Sequence, residues 1–281
     1  METFRKIYPH EFYLKFLEEK VRPDGRSIST NRKTTISQGS ITTAHGSSFV
    51  RIGSTSITAG VKAEVGQPAG KPIPNIVVNI ELLPICSPQF QHGPPSTLAQ
   101  SLCQQLNQLV SDLIDPKEFN IETDVDQTKV DLLKKGGLCW YLYVDMYCLD
   151  YNGNLLDAAM IALLAALHDV SLPSIILEEN NIYASEERTK KLNLKHHPVP
   201  LSFSVFDKVI LTDPTAEEEK LGDGLLTIVF NEAGELCAVF KQSGGDIGPD
   251  KMAQCMAQGK QRALYVTDLL KKACQAEGNK I

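Results

Sequence analysis

The run from Leu138 to Leu167 limits what the rest of the chain can be. Its first part, LCWYLYVDMYCL, is apolar on both alternating faces. That pattern predicts a central strand covered on each side. Its last part, Ala158 to Leu167, is apolar all round and predicts a buried helix. A strand and a helix that both need cover demand further layers, and 281 residues are enough to build them.

Between the two lies DYNGNLLDAA, Asp150 to Ala159. It has a polar strand end, an Asn-Gly turn and the start of the helix. Such a turn is a natural anion site, because several backbone N–H groups lack partners at a helix N-terminus. Leu155 and Leu156 stand where a hydroxyl or a guanidinium would be expected.

The rest of the chain supplies the layers. PHEFYLKFLEEKV, Pro9 to Val21, reads as an amphipathic helix stopped by RPDGR, Arg22 to Arg26. Gly46 to Val65 reads as a hairpin turning at Gly53-Ser54, and GQPAGKPIPN leads to the strand IVVNIELL. Ser96 caps a helix with a stripe of Leu98, Leu102, Leu106, Leu109 and Leu113. Asp115 to Lys135 reads as a polar surface excursion, and Glu178 to Lys195 as a polar run. LSFSVF and KVILTD flank Asp207, while GLLTIVF and ELCAVF flank the NEAG turn. A last helix runs from about Asp250 to Ala273, carrying Met252, Met256, Ala263, Val266 and Leu270. This β-α-β-α order with mostly antiparallel hairpins predicts an α+β fold in one compact domain.

Composition narrows the function. A formal net charge of −6 disfavours a free-standing nucleic-acid binder, though not a subunit lending a few basic groups to a shared surface. From Lys71 to Lys117 there is no other Lys or Arg. Seven cysteines without a CxxC pair fit reduced thiols. No apolar run is long enough to span a membrane and METFRKIYPH lacks a signal core, so an intracellular protein is expected. No Walker, zincin, nucleophile-elbow or EF-hand motif occurs. His196-His197 reads as a solvated loop pair and SGGDIGPD as a glycine turn feeding the last helix. Glu217 begins what reads as a solvated acidic turn. Arg22, Arg26, Arg32 and Lys33 form the densest basic group, read as surface charge or as an RNA or partner contact.

RPDGR, GSSFVRIGSTSITAGVKAE, LLPICSPQFQHGPP, LDYNGNLLDAAMIALLAAL and VFDKVILTDPTAEEE, in this order, resemble the RNase PH-like exosome ring subunits of the inactive branch. The resemblance covers nearly the whole chain, residues 1–281. It implies an RNase PH-like fold, with about 1–195 as the main core and 196–281 as its C-terminal part. In active relatives this loop reads Asp-Gly-Gly-Thr-Arg, and the Thr and Arg bind the attacking phosphate. Here Asn154 replaces the second glycine, and Leu155 and Leu156 replace Thr and Arg. Leucine cannot donate to or neutralise a phosphate. The general-acid position falls on Leu225, with Asp223 displaced from it, and the helix after Ser96 lacks the family's arginines.

The resemblance therefore implies a non-catalytic scaffold with no cofactor. It would pair with RNase PH-like paralogues in a six-subunit ring beneath RNA-binding cap proteins, with RNA threading the central channel towards an associated nuclease. Nucleus, nucleolus and cytoplasm are the implied locations. A working phosphorolytic exoribonuclease is opposed by Leu156 and Leu225. A binding module outside the exosome is the other alternative, which co-purifying partners would decide.

Overall fold

The computed structural model describes residues 2–66, 75–121, 138–178, 181–207 and 209–278. Strands β1 (Thr34–Gln38), β2 (Gly46–Ile52), β3 (Thr55–Gly66), β4 (Ile76–Leu82) and β5 (Cys139–Asp150) form a five-stranded sheet in the order β1-β2-β3-β5-β4. The β2–β3 hairpin turns at Gly53, whose φ of +58° suits glycine. A Cβ there would also lie 2.5 Å from the Arg32 side chain. β4 pairs with β5 in parallel, so the chain must cross over, and helix α3 (Thr97–Val110) makes part of that crossing. The Ser96 hydroxyl accepts from the Ala99 N–H at 3.2 Å and caps α3 as expected.

β5 is covered on one face only, contrary to the two-sided expectation. Leu142, Val144, Met146 and Cys148 are fully buried, while Tyr143, Asp145, Tyr147 and Leu149 face outwards. The tyrosines misled the pattern, because each presents an apolar ring body and a polar tip and tolerates a half-wetted surface.

Helix α4 (Leu155–Asp169) explains the apolar run after the turn. It packs on β2 and β3 of the first sheet and on β8 (Val199–Phe206) of the second, so nearly every side is buried. The second sheet has the order β11-β10-β8-β9, with β9 at Val209–Thr212, β10 at Gly224–Phe230 and β11 at Leu236–Ser243. One hydrophobic cluster runs from Val50 through α4 to Ile228 and Leu270.

Helices α1 (Glu2–Ile7) and α2 (Pro9–Glu18) stand at the N-terminus. α1 was not anticipated, and α2 stops at Glu18 rather than Val21, with Lys20 turning through a φ of +57°. Phe12, Tyr13 and Leu17 of α2 form a second cluster with Phe206 and Leu211.

The polar run after Glu178 contributes a strand to a hairpin, which its composition did not indicate. β6 (Ser171–Glu178) pairs with β7 (Asn181–Lys191), where pairing overrides weak strand propensity. Residues 116–119 form a 3₁₀ turn; the rest of the expected surface excursion, 122–135, and the connection 67–74 lie outside the described residues. Short helix α5 (Ala216–Leu221) precedes β10, and α6 (Pro249–Gly278) closes the chain with Ala263, Val266 and Leu270 facing inwards.

Candidate functional site

The turn between β5 and α4 is pinned by contact. Gly153 has a φ of +76°, and a Cβ there would sit 2.5 Å from the Ala216 nitrogen and the Thr215 carbonyl carbon. Asn154 follows at φ +56°, a left-handed conformation that asparagine tolerates. Its side-chain amide donates to Asp157 Oδ2 at 2.8 Å and to Asp213 Oδ1 at 2.6 Å. Leu155 and Leu156 are 5% and 6% exposed and belong to the core.

The anion position at the head of α4 holds a carboxylate from the same chain. Glu219 Oε1 accepts the Asn154 backbone N–H at 2.6 Å, and Glu219 Oε2 accepts the Tyr151 hydroxyl at 3.2 Å. Burial pushes this carboxyl up to about 7, although Asn154, Tyr151 and Arg32 favour its charged form. Glu219 was missed in the sequence, where its acidic segment reads as a solvated turn. Only the first member behaves that way: Glu217 is half exposed and accepts from Arg5 and, at 2.7 Å, from the Tyr13 hydroxyl. Glu218 is buried and closes a capping box with Thr215, accepting the Thr215 N–H at 2.8 Å.

Arg22 and Arg32 of the basic group after α2 turn inwards, which corrects the reading of surface charge for these two. Arg22 is fully buried and donates to Glu218 Oε2 at 3.4 Å and to the carbonyls of Asp213 at 3.3 Å, Thr212 and Ile28. Arg26 reaches Asp24 at 2.6 Å and Asp213 at 3.4 Å. Arg32 holds both Asp213 oxygens, at 2.7 and 3.0 Å, and donates to the Asn152 carbonyl at 2.7 Å. Burial opposes ionisation of Asp213, but Arg32 outweighs it and holds the carboxyl below its usual range. Lys33 alone of the group faces solvent.

Asp157, on the first turn of α4, is equally committed. It accepts the Ser202 hydroxyl at 2.8 Å and the Ser202 N–H at 3.1 Å, and Ser202 Oγ lies 2.8 Å from Thr227 Oγ1. Burial raises its carboxyl to about 6. Leu225 pairs with Ser204 and Gln242 at the start of β10. It shares a sheet face with Thr227. Asp223 precedes the strand, is exposed, and accepts the Asp207 N–H at 2.8 Å. The structure thus brings Asn154, Asp157 and Asp213 together in one buried network, in which Asp213 is answered by Arg32.

His197 is not a solvated loop residue. Its ring stacks on His168 of α4 at 4.8 Å, with Nε2 atoms 2.7 Å apart, and its Nδ1 lies 3.2 Å from Glu232. Burial and the neighbouring ring push His168 down to about 4. SGGDIGPD is the glycine turn expected, with φ of +57° at Ser243 and +86° at Gly244.

Fold and site together define an RNase PH-type domain pair. Residues 30–173 match domain 1 of the 3′ exoribonuclease family and residues 196–262 match its domain 2. The chain belongs to the 3′ exoribonuclease, or RNase PH, family. It is 37% identical over 260 residues to the exosome complex component rrp43 of Schizosaccharomyces pombe, covering 90% of this chain and 92% of that one. It is 34% identical over 251 residues to the exosome complex component Rrp42 of Methanopyrus kandleri, covering 88% and 89%. A solved structure of the Archaeoglobus fulgidus exosome with RNA bound to the active site contains a similar chain. That chain has a TM-score of 0.75 and 27% identity, with 92% of this chain and 96% of that one covered. A chain of an archaeal exosome core matches with a TM-score of 0.73 and 25% identity, covering 93% and 96%.

Proposed function

We propose that this chain is a non-catalytic structural subunit of an exosome core ring. It supports 3′-to-5′ RNA processing and degradation by shaping the channel, and carries out no phosphorolysis itself. The observation that carries this reading is the occupied head of α4. Glu219 accepts the Asn154 N–H where an external anion would bind, and Leu155 and Leu156 are packed as core. A phosphate entering there would meet the Glu219 carboxyl, and the neighbouring Arg32 is already paired with Asp213. Leu225 offers no proton at the general-acid position.

The partners in this reading are RNase PH-like paralogues in a six-subunit ring, RNA-binding cap proteins, RNA in the shared channel and an associated nuclease. The locations are nucleus, nucleolus and cytoplasm. Residues 1–195 and 196–281 are two parts of one folding unit, joined through α4. The named relatives, all exosome components, support the assignment.

Affinity purification from native extract tests the ring: a set of RNase PH-like paralogues should co-purify, and their absence would remove the reading. Purified alone with phosphate and single-stranded RNA, the chain should release no nucleoside diphosphate. Each missing electrostatic group typically contributes about 10²–10³-fold to such chemistry. Phosphorolysis abolished by a mutation in this chain would overturn the non-catalytic assignment.

A further inference from the structure

His168 and His197 stand on either side of the seam between the two family domains, His168 in the last turn of α4 and His197 just ahead of β8. Their Nε2 atoms are 2.7 Å apart and their ring planes agree within 3°. At that separation one nitrogen must carry a hydrogen and the other a lone pair, because two lone pairs or two N–H groups would repel.

Glu232, in the turn between β10 and β11, decides how many protons the pair can hold. It accepts the His197 backbone N–H on Oε2 at 2.7 Å and faces His197 Nδ1 with Oε1 at 3.2 Å. Burial opposes ionisation of Glu232, but hydrogen bonds from its own backbone and from His197 outweigh it and hold the carboxyl below its usual range. An ionised carboxylate only accepts, so His197 Nδ1 carries the hydrogen on that side. In the neutral pair His168 Nε2–H therefore donates to the bare Nε2 of His197. One added proton still leaves a single hydrogen between the rings, with Glu232 as its counter-charge. A second brings two cations and two facing N–H groups to one contact.

Among the described residues, the charges that face His168 are His197 and Glu232. The others nearby are committed elsewhere. Asp169 accepts the Gly39 and Ser47 N–H groups at 3.2 and 2.8 Å, and Lys195 reaches Asp115 at 3.8 Å. Glu235 accepts from Asn231 at 2.8 Å, and Lys260 lies over the Phe230 ring at 5.6 Å. The C-terminal end of α4 favours a cation at His168, but burial and the His197 ring prevail and depress it.

We propose that Glu232, His197 and His168 form a proton-operated latch on the seam, shut while the two rings share one hydrogen at their contact and open once both rings are cations. Opening releases residues 192–198 and the 231–234 turn from the end of α4, while the apolar contacts of α4 with β8 keep the two parts together. The latch does not depend on the ring reading, since all three residues belong to this chain.

Histidine-selective ¹⁵N labelling of the chain in a stable heterodimer lets NMR follow the ring nitrogens as pH falls. Two rings coupled in this way should titrate in two steps set apart by more than about one pH unit. In His168→Gln, which keeps an amide donor but takes no proton, His197 should titrate in a single step. A common midpoint for both rings in the wild type would overturn the proposal. Hydrogen exchange reads the opening itself. At about pH 4, the value to which His168 is pushed, the His197 backbone N–H should exchange roughly tenfold faster in the wild type than in His168→Gln, and at neutral pH equally. Equal exchange at both pH values would show that the seam stays shut and would overturn the latch. If His197→Gln keeps the acid-induced exchange of residues 192–198, the proton acts elsewhere and the proposal also falls.

Discussion

Arg32 and Asp213 lie 181 positions apart, yet one carboxylate receives three donors from one residue. The Arg32 Nη2, Nε and backbone N–H reach it at 2.7, 3.0 and 2.6 Å. A planar guanidinium and a carboxylate paired this way add geometry to charge. The pair ties the entry to β1 to the end of β9, and Asn154 joins it from the β5–α4 turn. The geometry that could have opened a pocket for an external anion is thereby spent inside the chain.

Asp213→Asn should therefore be strongly destabilising. It would leave the buried Arg32 cation without its counter-ion, and breaking a buried pair from one side typically costs about 3–5 kcal/mol. Urea denaturation of the subunit in a stable heterodimer should show a lower midpoint with an unchanged slope. A loss below about 1 kcal/mol would mean that water reaches Arg32.

Leu156→Arg should create no phosphorolytic activity and should lower the melting temperature. Leu156 is 6% exposed, so the new cation would be buried in the core. An unchanged melting temperature would show that the head of α4 opens to solvent.

Much of the fold was legible because periodicity reports burial directly. The α3 stripe, the hairpin at Gly53 and the all-apolar α4 follow from spacing alone. The assignment of Leu156 and Leu225 to the phosphate and general-acid positions comes from the family resemblance and not from spacing, and it stays a proposal. What was not legible is long-range charge pairing. Arg22 and Arg32 look like surface charge in a local window, while their partners Glu218 and Asp213 look like part of a solvated turn and the end of a strand. Nothing local says that the two segments meet. The one-sided burial of β5 was hidden for a related reason, because tyrosine serves on either face.

Glu219 gives the site a pH signature. Its folded pKa, about 7, lies above its ordinary 4.5. The native state therefore binds the extra proton, and this contribution to stability is fully present below about 4.5 and lost as pH rises through 7. His168, depressed to about 4, acts oppositely, its contribution being lost as pH falls from about 6.5 to 4. The comparison must therefore be made between variants. Across pH 4.5 to 7.5 the melting temperature of Glu219→Gln should rise relative to wild type. A difference independent of pH would mean that Glu219 titrates normally.

The last expectation concerns the edge that the chain does close. Asn107 is the only side chain donating to the Val78 carbonyl among the described residues, and it accepts the Val78 N–H as well. Asn107→Ala would leave both groups bare on the outer side of β4. An unsatisfied buried polar group costs roughly 1–3 kcal/mol, and an uncovered edge invites pairing with other chains. The variant should thus lose stability and also gain concentration-dependent association, which light scattering would register. Asn107→Leu keeps the bulk but not the amide, and should do the same. If the leucine variant stays monodisperse and as stable as wild type, bulk alone guards β4, and the amide's imitation of a strand is incidental.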